Sequence, residues 1–157
     1  MNFIRTLILL VCMYYTEDNV LENNALKLFN EVKKEHYVLT NRKINIDPNP
    51  VSSGPDIGII VSLVKGINPL EYYDNKTDSI LHKIIGNSTK LDVPKQLRKK
   101  CLSKKDFKGK VFNVIKWNQK SYIEIKLVNN NFETLFFVFE FDDSGKYQRY
   151  YHKYLIY

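Results

Sequence analysis

Glu124, Glu140 and His152 are the residues of this sequence best suited by type to move a proton. A carboxylate or imidazole enclosed by a curved sheet shifts its pKa and can act as a general base, with Tyr122, Tyr150 and Tyr154 as hydrogen-bond donors. Parity argues against such a site. Glu124 and Glu140 alternate with the apolar positions of their own segments, which predicts that both face solvent. No phosphate-cradling loop, nucleophile elbow, zinc-helix motif or dinucleotide fingerprint occurs. His36, His82 and His152 lie far apart, and Cys12 and Cys101 are the only cysteines, so no metal-ligand spacing arises. The reading leans away from an enzyme and expects neither cofactor nor metal.

Charge offers a second chemistry. Between positions 95 and 110 stand Lys95, Arg98, Lys99, Lys100, Lys104, Lys105, Lys108 and Lys110, with Asp106 the only acid among them. Lys99, Lys100, Lys104 and Lys105 are the candidate anion-binding residues, suited to an anionic surface or a phosphate backbone. The net charge of +7 points the same way. Arginine, however, is confined to Arg5, Arg42, Arg98 and Arg149, and aromatic interleaving near the cluster to Phe107 and Phe112. Both features disfavour nucleic acid, which is read by guanidinium forks and stacking rings. A third chemistry is protein recognition through Tyr147, Tyr150, Tyr151 and Tyr154, because tyrosine joins a broad apolar face to a polar tip.

Stepping from these residues to the elements that hold them, 157 residues with 44% hydrophobic and 13% aromatic content suffice for one domain with a real core. Residues 1–15 read as a candidate signal peptide, with Arg5 before a nine-residue apolar run too short to span a bilayer. Leu9-Leu10-Val11-Cys12 resembles a bacterial lipobox, which implies lipidation of Cys12. The competing reading places residues 7–15 in the core of a cytoplasmic protein. Export is the expectation, and residues 16–157 are then the single domain.

Within that domain, Leu21, Ala25, Leu28, Phe29 and Val32 recur at helical spacing and predict an amphipathic helix over 17–36, with Thr16 as N-cap. Residues 41–55 carry Pro48, Pro50, Gly54 and Pro55 and predict an irregular connection. The apolar run over 56–65 suits helix or strand, and Pro55 before it with Gly66 after it favours helix. Further short helices are expected over 77–85 and 93–101. Residues 111–157 predict a four-stranded antiparallel meander, with separators at 118–120, 129–131 and 142–145. Ile123, Ile125 and Leu127, then Leu135, Phe137, Phe139 and Phe141, mark one buried face.

The fold class is therefore α+β, with N-terminal helices packed on a C-terminal four-stranded β-meander. Its layout is like that of cystatin-like and NTF2-like folds, by order of elements alone. Three functions remain open. The first is a small exported, non-enzymatic binding protein that uses its exposed sheet face and another protein as partner. The second is a cup-shaped enzyme or small-ligand binder. The third is a binder of nucleic acid or anionic membrane through 95–110.

Overall fold

The computed structural model describes residues 19–51, 57–66, 83–85, 90–99 and 102–157. The expectations for the amino-terminal signal, Cys12, Lys100 and Cys101 lie outside these residues. What is described is α+β: two helices and a mostly antiparallel mixed sheet.

Helix α1, Val20–Val32, begins after Asn19, whose left-handed backbone (φ 39°) turns the chain into the first turn. Ala25, Leu26 and Phe29 are fully buried along one stripe, with Leu21, Leu28 and Val32 packed at its margins. The three-and-four spacing of the apolar residues thus becomes a docking face, and each fully buried large side chain contributes about 1.5–3 kcal/mol. Helix α2, Ile57–Lys65, ends at Gly66, where φ is +68°. That conformation costs glycine little and ends the helix.

Seven strands form one sheet: β1 (Ile44–Ile46), β2 (Lys83–Ile85), β3 (Phe107–Val111), β4 (Val114–Trp117), β5 (Lys120–Val128), β6 (Glu133–Asp142) and β7 (Tyr147–Ile156). Of the run expected as the first meander strand, 111–117, Val114–Trp117 form β4, while Val111 ends β3, which otherwise lies in the lysine-rich segment; β3 and β4 pair with opposite ends of β5. β5 pairs with β6, and β6 with β7, as consecutive hairpins. Besides β3, two further strands enlarge the expected four-stranded sheet. β1 lies within the segment read as irregular and pairs parallel to β3. β2, at the end of a segment read as helical, pairs antiparallel to β4. The expected helix near 93–101 is reduced to one 3-10 turn, Lys95–Leu97, because Arg98 bridges to Asn45 and draws the chain to the edge of β1.

The turns follow their residues. Asn118 and Gln119 both take positive φ (49° and 58°), making a two-residue hairpin loop between Trp117 and Lys120. At the last hairpin, Asp142 Oδ1 accepts bonds from the Ser144 and Lys146 amides, both at 3.0 Å, and Gly145 supplies φ +78°.

One correction reshapes the molecule. The sheet was expected to have one wet face, but β5 and β6 are buried on both. α1 covers the side of Ile123, Ile125, Phe137 and Phe139. α2 packs on the other side, where Ile60 joins Ile115, Tyr122 and Val138, with Leu63, Val64, Trp117 and Tyr151 around them.

His36, just beyond α1, is 7% exposed, and among the described residues neither ring nitrogen has a hydrogen-bond partner. Its ring meets His152 edge-on at 5.0 Å and Phe137 at 5.3 Å. Burial lowers its pKa below the ordinary 6.5, and the neighbouring His152 lowers it further. The folded state therefore keeps this imidazole neutral while the unfolded chain protonates it near pH 6.5. Its contribution is complete above that pH and is lost as pH falls through 6.5 toward the depressed folded value. Glu22 acts oppositely, because burial raises its pKa and it favours folding more at acidic pH. The difference between wild type and His36→Phe isolates the histidine. In urea titrations the wild type is expected to lose stability relative to the variant between pH 7.5 and 5.5, by up to about 1 kcal/mol. Parallel pH profiles would assign His36 no part in this.

Candidate functional site

The three proton-transfer candidates are not brought together. His152 points to the α1 side of β7, opposite Phe137, whereas Glu124 and Glu140 lie on the α2 side. Both carboxylates, expected in solvent, are buried at 0% and 1% exposure. α2 has closed the face that parity alone had left open.

Glu140 is held by Lys120 Nζ at 2.5 Å and the Tyr151 hydroxyl at 2.7 Å, with Arg149 Nε at 3.9 Å. Burial opposes its charge. The hydrogen bonds from Lys120 and Tyr151, with the charges of Lys120 and Arg149, outweigh burial and hold the carboxyl below its usual range. Tyr151 is pushed up to about 12 by burial and by this carboxylate, and Tyr122, across from Glu140 in the ladder, likewise to about 12. A carboxylate kept ionised beside two phenols kept protonated makes a closed ion-pair network. A general base would need a pKa nearer neutrality.

The candidate partner-binding tyrosines are mostly turned inward. Tyr147 packs on Phe141, Tyr151 bonds to Glu140, and the Tyr154 hydroxyl donates to Glu133 Oε1 at 2.5 Å. Tyr150 is 36% exposed and leans on Phe139. Glu133 is further held by Arg42 and Asn129, so the β5–β6 turn is pinned to the segment after α1. Among the candidate anion ligands, Lys99, Lys104 and Lys105 are exposed between β1's edge and β3, and they do not line a described pocket.

One pocket lies on the α2 side of the sheet, over β3 and the Lys126–Val128 end of β5. It encloses about 670 Å³, within the range of small-molecule sites. Lys108, Lys110 and Lys126 rim it, while Val51, Phe112 and Val128 supply apolar wall. Alternation puts Lys108 and Lys110 on one side of β3, and the register sets Lys110 directly across from Lys126. Among the described residues none of these three ammonium groups has an ion pair or hydrogen bond, although Lys126 lies 5.1 Å from the Phe136 ring. Asp47 also lines the pocket, but its Oδ1 is engaged by the Asn49 amide at 2.9 Å.

The sequence groups Lys108 and Lys110 with the other lysines of 95–110, whereas the register sets them beside Lys126. The signal was available: K-x-K on one strand and a lysine on the next place like charges on one face once the register is set. Among the described residues no group of three or more His, Cys, Asp or Glu could hold a metal, and no helix is long and apolar enough to cross a membrane. Comparison with protein-family models, with curated proteins and with solved structures returned no match.

Proposed function

We propose that this chain is a non-enzymatic binding protein that takes a small amphipathic anion, an apolar body bearing a carboxylate or phosphate, in the lysine-rimmed groove. The observation that carries the reading is the direct opposition of Lys110 and Lys126 across a ladder, with Lys108 beside them and, among the described residues, no carboxylate bonded to any of the three. Like charges facing each other across a sheet cost stability, and an anion between them would turn that cost into affinity. The apolar walls give the rest of the ligand somewhere to go. The cup-shaped alternative, drawn from the cystatin-like and NTF2-like analogy, needs a polar cavity on the concave side, and the ion-paired state of Glu140 offers it little support.

Laurate titrated calorimetrically, with displacement of anilinonaphthalene sulfonate as a second readout, tests the proposal. Saturable binding is expected, falling with salt, and Lys110→Glu with Lys126→Glu should weaken it by at least about tenfold. Lys110→Glu alone should bind less well yet unfold later, since a cross-strand opposite-charge pair contributes roughly 0.2–1 kcal/mol. Laurate binding to the double variant equal to wild type would sink the proposal. Equal affinity for inorganic phosphate would show that the apolar walls contribute nothing.

A further inference from the structure

The sheet treats its edges unequally. β1 has three residues and is flanked by the Arg98 bridge, with the Lys99 amide directed to the Ile44 carbonyl. β2 is also three residues long. β7, by contrast, runs for ten residues, pairs with β6 along its length, and has no backbone partner on its outer edge among the described residues. Every one of its residues is at least partly exposed, and none is proline. A strand of this length with free amides and carbonyls is a template for another strand.

Its side chains specify which strand. Arg149, Tyr151 and Lys153 share one side, Tyr150, His152 and Tyr154 the other, and no acidic residue occurs in β7. Arg149 remains 64% exposed despite its 3.9 Å approach to Glu140. A second copy of this chain would bring the same cations to the shared edge with no carboxylate to meet them. We infer that the outer edge of β7 is a docking site for an extended acidic segment of another protein, which adds a strand to the sheet. Backbone bonds supply affinity in this arrangement. Acidic side chains facing Arg149 and Lys153 supply specificity, and apolar ones lie along the tyrosine side.

The probe is a synthetic strand-length peptide alternating Glu and Val, followed by fluorescence anisotropy and by hydrogen exchange of the β7 amides. Binding is expected to be saturable and to slow exchange between Tyr150 and Leu155. The same peptide N-methylated at alternate residues keeps its charge but cannot form a ladder, and should bind at least about tenfold more weakly. Arg149→Glu with Lys153→Glu, checked by an unchanged far-ultraviolet spectrum, should weaken the parent peptide by about tenfold. Groove variants at Lys110 and Lys126 should leave this affinity unchanged, which separates failure here from failure of the groove. Equal binding of the methylated peptide would overturn the inference, as would unprotected β7 amides in the complex. Sedimentation showing a dimer whose β7 amides are already protected would overturn it in favour of a second copy.

Discussion

Replacing Phe137 with alanine is expected to cost about 3–5 kcal/mol, a large fraction of the stability of a domain of this size. Phe137 lies at the centre of β6, fully buried in the cluster between the sheet and α1. Its ring is 5.1 Å from Phe29 on α1, 5.3 Å from His36, and 6.2 Å from His152 on β7. Truncation empties a space whose walls belong to three elements, so collapse of any one of them cannot fill it. A lower urea midpoint at unchanged slope, equivalent to about 3–5 kcal/mol, is the expected result. Phe137→Leu, which restores most of the volume, should recover more than half of the loss. An alanine variant as stable as wild type would show that α1 does not pack on β6 as described.

Gly109→Val should be the next most damaging change, at about 1–3 kcal/mol. The backbone at this glycine does not need positive φ; space is the reason for it. A Cβ here would stand 2.6 Å from Leu127 Cδ2 and nearer still to Ile46 Cδ1, side chains that are themselves fully buried. The Gly109 carbonyl also accepts the Asp47 amide at 2.9 Å, so pushing Ile46 away moves the segment that forms one wall of the groove. Thermal unfolding of Gly109→Val with and without Ile46→Ala checks the mechanism. The second substitution should return part of the lost stability, because the two side chains compete for one volume. Simple additivity of the two losses would count against the steric account.

Much of the sheet was legible because hairpins leave local marks. Asn118-Gln119, the Asn129 turn and Asp142 to Gly145 each end one alternating run and begin another, and the order of β5, β6 and β7 follows. Helix α2 was recoverable from Gly66. The covered second face was also written in the chain, though it was overlooked. Leu135, Phe136, Phe137, Val138 and Phe139 are five consecutive apolar residues, which is the pattern of a strand buried on both sides and not of one facing water. Reading only the odd positions of that run sent Glu140 into solvent, and the same reading of Ile123, Ile125 and Leu127 sent Glu124 there.

The groove was less accessible to sequence for a different reason. Lys126 alternates with the Ile/Leu face of β5 as Tyr122 and Glu124 do, and nothing nearby distinguishes it from Glu124, which is fully buried. Only the register with β3 sets it against Lys110. β1, with Ile44, Asn45 and Ile46, is too short to announce itself, and its partner lies far along the chain. The ion-pair network of Glu140 likewise depends on Lys120 and Tyr151 arriving from two different strands.

The parallel pairing of Ile44 with Phe107 closes a loop of about sixty residues, a closure whose entropic cost rises slowly with length and is offset by a three-residue ladder that the Asp47 and Val51 amides extend onto the Gly109 and Val111 carbonyls. The hairpins of β5 to β7 carry no comparable burden. Because Asn45 and Asp47 stand on one wall of the groove and Lys110 and Lys126 on the other, a ligand seated there would span the two ends of that loop. It would then act as a clasp on a long-range contact, joining an early segment to a late one as a cross-link does, but reversibly.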